Sequence, residues 1–138
     1  MAGGIVYLEQ EIEGVQRSFA FWSDDGTLAG NLTQLRTRGP QSSPLAGAAS
    51  ASGVLGPFVP GLDSPINLTL SGTWAGTVRL LRSTDAGATK IPVTLAGGTW
   101  GEFTSNVNEP VWEEGEAGVT FYLQFERISG TLNYRMAQ

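Results

Sequence analysis

Apolar positions in the second half of the chain recur at every second residue. In INLTLSG, Ile66, Leu68 and Leu70 fall on one side of an extended backbone and Asn67, Thr69 and Ser71 on the other. GVTFYLQFERI repeats the pattern with Val119, Phe121, Leu123 and Phe125, and TLNYRM places Leu132, Tyr134 and Met136 together. Period two predicts strands with one buried face, and Ser129-Gly130 between the last two runs predicts a tight hairpin. TWAGTV is expected to turn into a separate strand, TVRLLRS. KIPVTL carries Ile91, Val93 and Leu95 on one side; Pro92 marks it as an edge strand or a bulge. Gly97-Gly98 predicts the turn into TWGEF. Short strands with turn signals every ~8–12 residues predict an all-β fold, an antiparallel β-sandwich or jelly roll.

Upstream the pattern changes twice. Residues 1–38 hold two apolar-rich runs, IVYLEQEI and RSFAFWS, which predict two strands with turns at EGVQ and SDDG. A short helix over Tyr7 to Ile12 is the alternative, because Leu8 and Ile12 are four apart. Residues 39–61, GPQSSPLAGAASASGVLGPFVPG, are mostly Gly, Pro, Ser and Ala. Such a composition buries too little apolar area to offset its own ordering entropy, and reads as a flexible linker. Yet it also carries Leu45, Val54, Leu55, Phe58 and Val59. These side chains fit an extended arm that docks on a neighbouring subunit, with Phe58 as an anchor, and such a segment reaches roughly 75 Å when fully extended. The expected organisation is an N-terminal β-rich segment (1–38), an arm or linker (39–61) and a sandwich (62–138), together forming one compact domain.

Composition narrows the function. The chain has 138 residues, enough to bury roughly 68% of its unfolded surface as one domain. Charged residues make up 15%, below the usual ~25%, and the 19 glycines are about twice the average share. Few charges and many small residues suit a turn-rich β protein, and equally a surface covered by neighbouring subunits. The net charge of −5, with Arg36 and Arg38 the only close basic pair, argues against nucleic acid as a partner. The sequence shows no signal-peptide pattern and no apolar run long enough to span a membrane. Cysteine is absent, so no disulfide forms. Histidine is absent too, which removes Ser-His-Asp and Cys-His nucleophile systems, His-ligated zinc and histidine general bases. Only carboxylate chemistry stays open, and no cofactor is expected.

Three features could carry chemistry. In RSTDAGATK, the spacing of Ser83, Asp85, Gly87 and Thr89 resembles the Asp-box turn of sialidases, with Lys90 where an aromatic normally follows. In that turn the carboxylate accepts backbone N–H groups and the glycine takes a positive φ; in sialidases it lies away from the catalytic pocket, so even there it is scaffold. One copy in a chain too short for a propeller predicts a structural hairpin, not a sialidase. EPVWEEGEAG gathers Glu109, Glu113, Glu114 and Glu116 beside Trp112. It reads as a solvated acidic loop, with a Ca²⁺ site or a glycosidase carboxylate pair as the sharper alternatives. Trp22, Trp74, Trp100 and Trp112 could pack in the core or an interface, or form a platform for sugars.

The run INLTLSGTWAGTVRLLRSTDAG, then PVT, TSNVNEPVWEEGEAGVTFYLQF and a terminal SGTLNYRM, has a wider likeness. It resembles small virion proteins of tailed bacteriophages, over roughly residues 62–138. The resemblance implies a non-enzymatic particle component: a capsid decoration (cement) protein, with a head-fibre or tail accessory protein as the alternative. It further implies a virion location on the outer surface. The major capsid protein or other virion proteins would be partners, and the chain would be a homo-oligomer, dimer or trimer.

Overall fold

A computed structural model describes the backbone of residues 4–12 and 15–23, and residues 42–138 with their side chains. The chain divides into two compact units, Met1–Pro40 and Gln41–Gln138. In the first, β1 (Gly4–Ile12) and β2 (Val15–Ser23) form an antiparallel pair whose register runs from Gly4↔Ser23 to Ile12↔Val15. Tyr7 to Ile12 is therefore strand and not helix. Of the expected turns EGVQ and SDDG, Val15, Gln16 and Ser23 are strand residues of β2; the rest of both turns, the Arg36/Arg38 pair and the first residues of the arm lie outside the described residues.

The second unit is all-β and antiparallel. Its strands are β3 (Leu45–Ala49), β4 (Gly53–Phe58), β5 (Pro65–Ser83), β6 (Ile91–Pro92), β7 (Thr94–Leu95), β8 (Gly98–Thr99), β9 (Glu102–Phe103), β10 (Val107–Glu113) and β11 (Thr120–Ala137). Two of them dominate. β5 has 19 residues and β11 has 18, and they pair from Thr120↔Ser83 to Ala137↔Asn67. At one end of this ribbon, β10 flanks β5 and β3 flanks β11; at the other, β6 and β9 flank β5 and β4 flanks β11. Among the described residues no helix is long and apolar enough to cross a membrane.

Two expected turns are therefore absent. TWAGTV does not reverse the chain, because β5 runs through it, and Ser129-Gly130 does not close a hairpin, because β11 runs through that. The local signal at Ser129-Gly130 is instead a bulge: Arg127 faces Gly76 and Ser129 faces Ala75, leaving Ile128 unpaired and 79% exposed. One extra residue reverses which side chains point inward. Before the bulge Phe121, Leu123 and Phe125 are buried; after it Leu132 and Met136 are, with Tyr134 packed against them.

These residues share one core cluster with Ile66, Leu68, Leu70, Val78 and Leu80, drawn from both ends of β5. A flat ribbon would leave one face of each end wet. Complete burial at both ends means that the inner faces oppose each other, as in a β-sandwich. The reversal of direction falls where the two long strands meet Gly76. Its φ of 146° is closed to ordinary residues, and a Cβ there would run into the Glu126 carbonyl. Across this region Trp74 meets Phe125 edge-on, at 5.7 Å between centroids.

The Gly/Pro/Ser/Ala segment belongs to the sandwich. β3 and β4 follow each other antiparallel along β11, from Met136↔Leu45 to Phe121↔Phe58, and so act as one interrupted edge strand. Polar ties hold it at its ends and its middle. The Gln138 side chain accepts from the Ser42 hydroxyl (2.8 Å) and Gly61 N–H (2.7 Å) and donates to the Gly61 and Ser64 carbonyls (both 2.9 Å). Midway, Arg127 N–H donates to Ser52 Oγ at 2.9 Å. Backbone pairing supplies the stabilisation that the composition lacks, which is why the linker reading fails from Leu45 to Phe58.

The opposite flank is also interrupted. Leu80 N–H donates to Gly101 O (2.8 Å) and Leu80 O accepts from Val93 N–H (3.0 Å), so both legs of the β7–β8 hairpin are rooted on Leu80. KIPVTL consequently breaks into β6 and β7: Val93 is buried, but Ile91 is 62% and Leu95 55% exposed. The hairpin turn is Ala96-Gly97, both at positive φ, one residue earlier than expected, and Gly98 already belongs to β8.

Candidate functional site

Ser83, Asp85, Gly87 and Thr89 come together at the end of β5. The Ser83 hydroxyl donates to Asp85 Oδ1 and accepts from Gly87 N–H, both at 2.8 Å, and Thr89 N–H donates to the same Oδ1 at 2.8 Å. The Thr89 and Ser83 donors hold the Asp85 carboxyl below the ordinary carboxylate range. Gly87 has φ 89°, and a Cβ there would strike the Tyr122 hydroxyl. Tyr122 lies on the outer face of β11, 7% exposed, and Lys90 Nζ sits 4.8 Å from its ring centroid. Lys90 thus covers an aromatic ring from the neighbouring strand, where an aromatic of the turn's own would ordinarily pack.

The acidic loop is not uniformly solvated. Glu114 is buried and takes both prongs of Arg82, Nε to Oε2 at 2.7 Å and Nη2 to Oε1 at 2.9 Å. Glu116 completes the fork, accepting from Arg82 Nη2 at 2.7 Å, while its own N–H donates to Glu114 Oε1 at 2.9 Å. Arg82 holds the Glu114 carboxyl low, against the opposing effect of burial. Two of the four glutamates are thereby committed to an arginine. Glu113 lines a groove of about 550 Å³ with Trp112, Glu114 and Asp85, whereas Glu109 lines a different hollow. Among the described residues no group of three or more carboxylates is placed to hold a metal ion.

The proposed interface residues separate into two sets. Phe58 is 1% exposed in the chain's own core, and Leu45 and Leu55 pack against that core. Phe58 is therefore not free to anchor a partner: strand pairing with β11 turns its side chain inward. Val54 and Val59 remain outside, 50% and 59% exposed.

The tryptophans differ as sharply. Trp22 has no described side chain. Trp74 donates to Asn106 Oδ1 at 2.7 Å and, like Trp112, packs against the core. Trp100 is 43% exposed, with its indole N–H fixed on Val111 O at 3.0 Å. The sequence directed attention to Trp112 because of its glutamate neighbours. Trp100 has a single glutamate close in sequence, Glu102, and its other partners, Val111 and Glu109, come from β10.

Comparison with protein-family models, with curated proteins and with solved structures finds no match to this chain.

Proposed function

We propose that this protein is a non-enzymatic structural component of a tailed-bacteriophage particle, decorating the outer capsid surface as a symmetric homo-oligomer bound to the major capsid protein. The observation that carries the reading is the sheet edge made by β3 and β4. No charged residue occurs from Gly39 to Leu62, and Ala46, Ala48, Val54 and Val59 are exposed along this edge. Proteins that remain alone blunt such edges with lysine or other charges. An uncharged edge favours contacts with many identical neighbours, where each weak interface is repeated and multivalency supplies the avidity. The likeness of residues 62–138 to small virion proteins supports the same role. The Arg82 pairing of Glu114 and Glu116 leaves the acidic loop a structural clasp rather than an acid–base pair.

Quantitative mass spectrometry of purified particles tests this. Copy numbers on the order of hundreds are expected for decoration, where repetition sustains weak contacts. A handful of copies would move the protein to the tail or a vertex, and absence from the particle would reject the virion role. Ala46→Lys with Ala48→Lys, which charges the edge without touching the core, should lower occupancy on the particle.

A further inference from the structure

Trp100 stands at the foot of the β7–β8 hairpin with a hollow on each flank. One, of about 300 Å³, is lined by Thr99, Trp100, Glu102, Phe103, Glu109 and Pro110 together with Gly101 and Val111. A smaller one of about 200 Å³ shares Thr99, Trp100 and Glu102 and reaches Arg79. We propose that the larger hollow binds a neutral pyranose ring of a glycan, stacked on Trp100 with its hydroxyls bonded to Glu109, Glu102 and Thr99.

Three properties point to this ligand. The indole is both open and oriented: it is 43% exposed, yet its N–H is satisfied by Val111 O at 3.0 Å, and Trp100 N–H is tied to Val93 O. A ring held in place loses little freedom on binding, and its flat face suits the apolar C–H face of a sugar. The polar side chains lining the hollow, Thr99, Glu102 and Glu109, all offer acceptor oxygens. Glu102 is set by Arg79, whose Nε lies 2.8 Å from Oε2. The Glu109 side chain is exposed and makes no hydrogen bond or ion pair among the described residues. A carboxylate in this position accepts from sugar hydroxyls, which are donors everywhere around the ring. The size is also decisive, since ~300 Å³ is the lower end of ligand pockets and admits one ring rather than a buried chain.

Other ligand classes fit less well. Two carboxylates repel an anion. An organic ammonium prefers several aromatic faces around it, but of the two aromatic residues lining this hollow Phe103 is packed against the core, leaving Trp100. An apolar ligand would leave Glu109 desolvated without a partner.

The site makes no use of the virion reading and stands or falls separately. The test uses the full chain, a panel of neutral monosaccharides and disaccharides (glucose, galactose, mannose and N-acetylglucosamine types), and tetramethylammonium. Calorimetry gives affinity, and the Trp100 indole resonance reports location. At least one sugar should bind at millimolar strength or better and shift the Trp100 indole signal. Trp100→Ala and Glu109→Gln should each weaken it roughly tenfold or more, while Trp112→Phe leaves it unchanged. Glu109→Gln alters an exposed, unpaired side chain and keeps the test valid should Trp100→Ala fold poorly. No binding by any sugar at tens of millimolar, binding indifferent to Glu109→Gln, or tetramethylammonium outcompeting the sugars at Trp100 would each overturn the proposal.

Discussion

Phe125 and Leu132 lie an odd number of positions apart on one continuous strand, yet both are buried in the same core. Strict alternation would put them on opposite faces. The unpaired Ile128 removes the conflict, so this exposed residue sets the inward face for everything after it.

Deleting Ile128 should therefore unfold the protein. It would turn Leu132, Tyr134 and Met136 to solvent, at ~1.5–3 kcal/mol for each large side chain, a loss comparable with a typical net stability of ~5–15 kcal/mol. Ile128→Thr, which keeps the extra residue, should stay within about 0.5 kcal/mol of wild type. Urea denaturation of the two variants makes the comparison. A folded deletion variant would mean that the bulge can migrate.

The edge strand gives a second contrast between neighbours. Phe58→Ala should cost about 3–5 kcal/mol, since the ring is fully buried. Val59→Ala, at 59% exposure, should be nearly silent for stability. Removing residues 42–60 should expose the flank of β11 and unfold or aggregate the chain rather than yield a shortened, folded protein. A monomeric, cooperatively melting deletion product would restore the linker reading.

How much of this was legible in the sequence follows from where each signal lies. Alternation over Val119–Phe125 and Ile66–Leu70 states period two directly, and those faces are buried as expected. Ser129-Gly130 was ambiguous for a physical reason. A small residue and a positive-φ glycine between two alternating runs of opposite phase describe a hairpin and a bulge equally well, and only the pairing with β5 separates them. The segment around Phe58 was obscured because its stabilisation comes from backbone bonds to β11, which composition does not encode. Glu114 was hidden among identical neighbours, because the arginine that buries it comes from another strand.

Asp85→Ala should lower the melting temperature by roughly several degrees, because Thr89 N–H loses its acceptor and Ser83 its partner. Gly87→Ala should be at least as damaging, since its Cβ meets the Tyr122 hydroxyl in a backbone conformation that alanine resists. Gly87→Ala with Tyr122→Phe should recover part of that loss by removing the clash. Differential scanning calorimetry of the three variants distinguishes the turn's hydrogen bonds from its packing. An unchanged melting temperature in Asp85→Ala would make the network irrelevant to stability.

The Arg82–Glu114 clasp makes stability depend on acid. Glu114 has a folded-state pKa below its unfolded value, so its contribution is fully present above about pH 4.3 and disappears as pH falls through the lower folded value. Asp85, lowered by its Thr89 and Ser83 donors, acts in the same direction. Glu114→Gln should destabilise the protein by about 2–3 kcal/mol at pH 7. This is less than the ~3–5 kcal/mol of a fully buried broken pair, because the Arg82 side chain is 28% exposed and partly hydrated, and keeps Glu116. Protonated Glu114 resembles glutamine in charge, so the gap between wild type and variant should close as pH falls below about 4. Denaturation midpoints measured from pH 7 to 3 on both proteins provide the check. A constant gap across that range would show that the carboxylate's shape, and not its charge, holds the loop against β5.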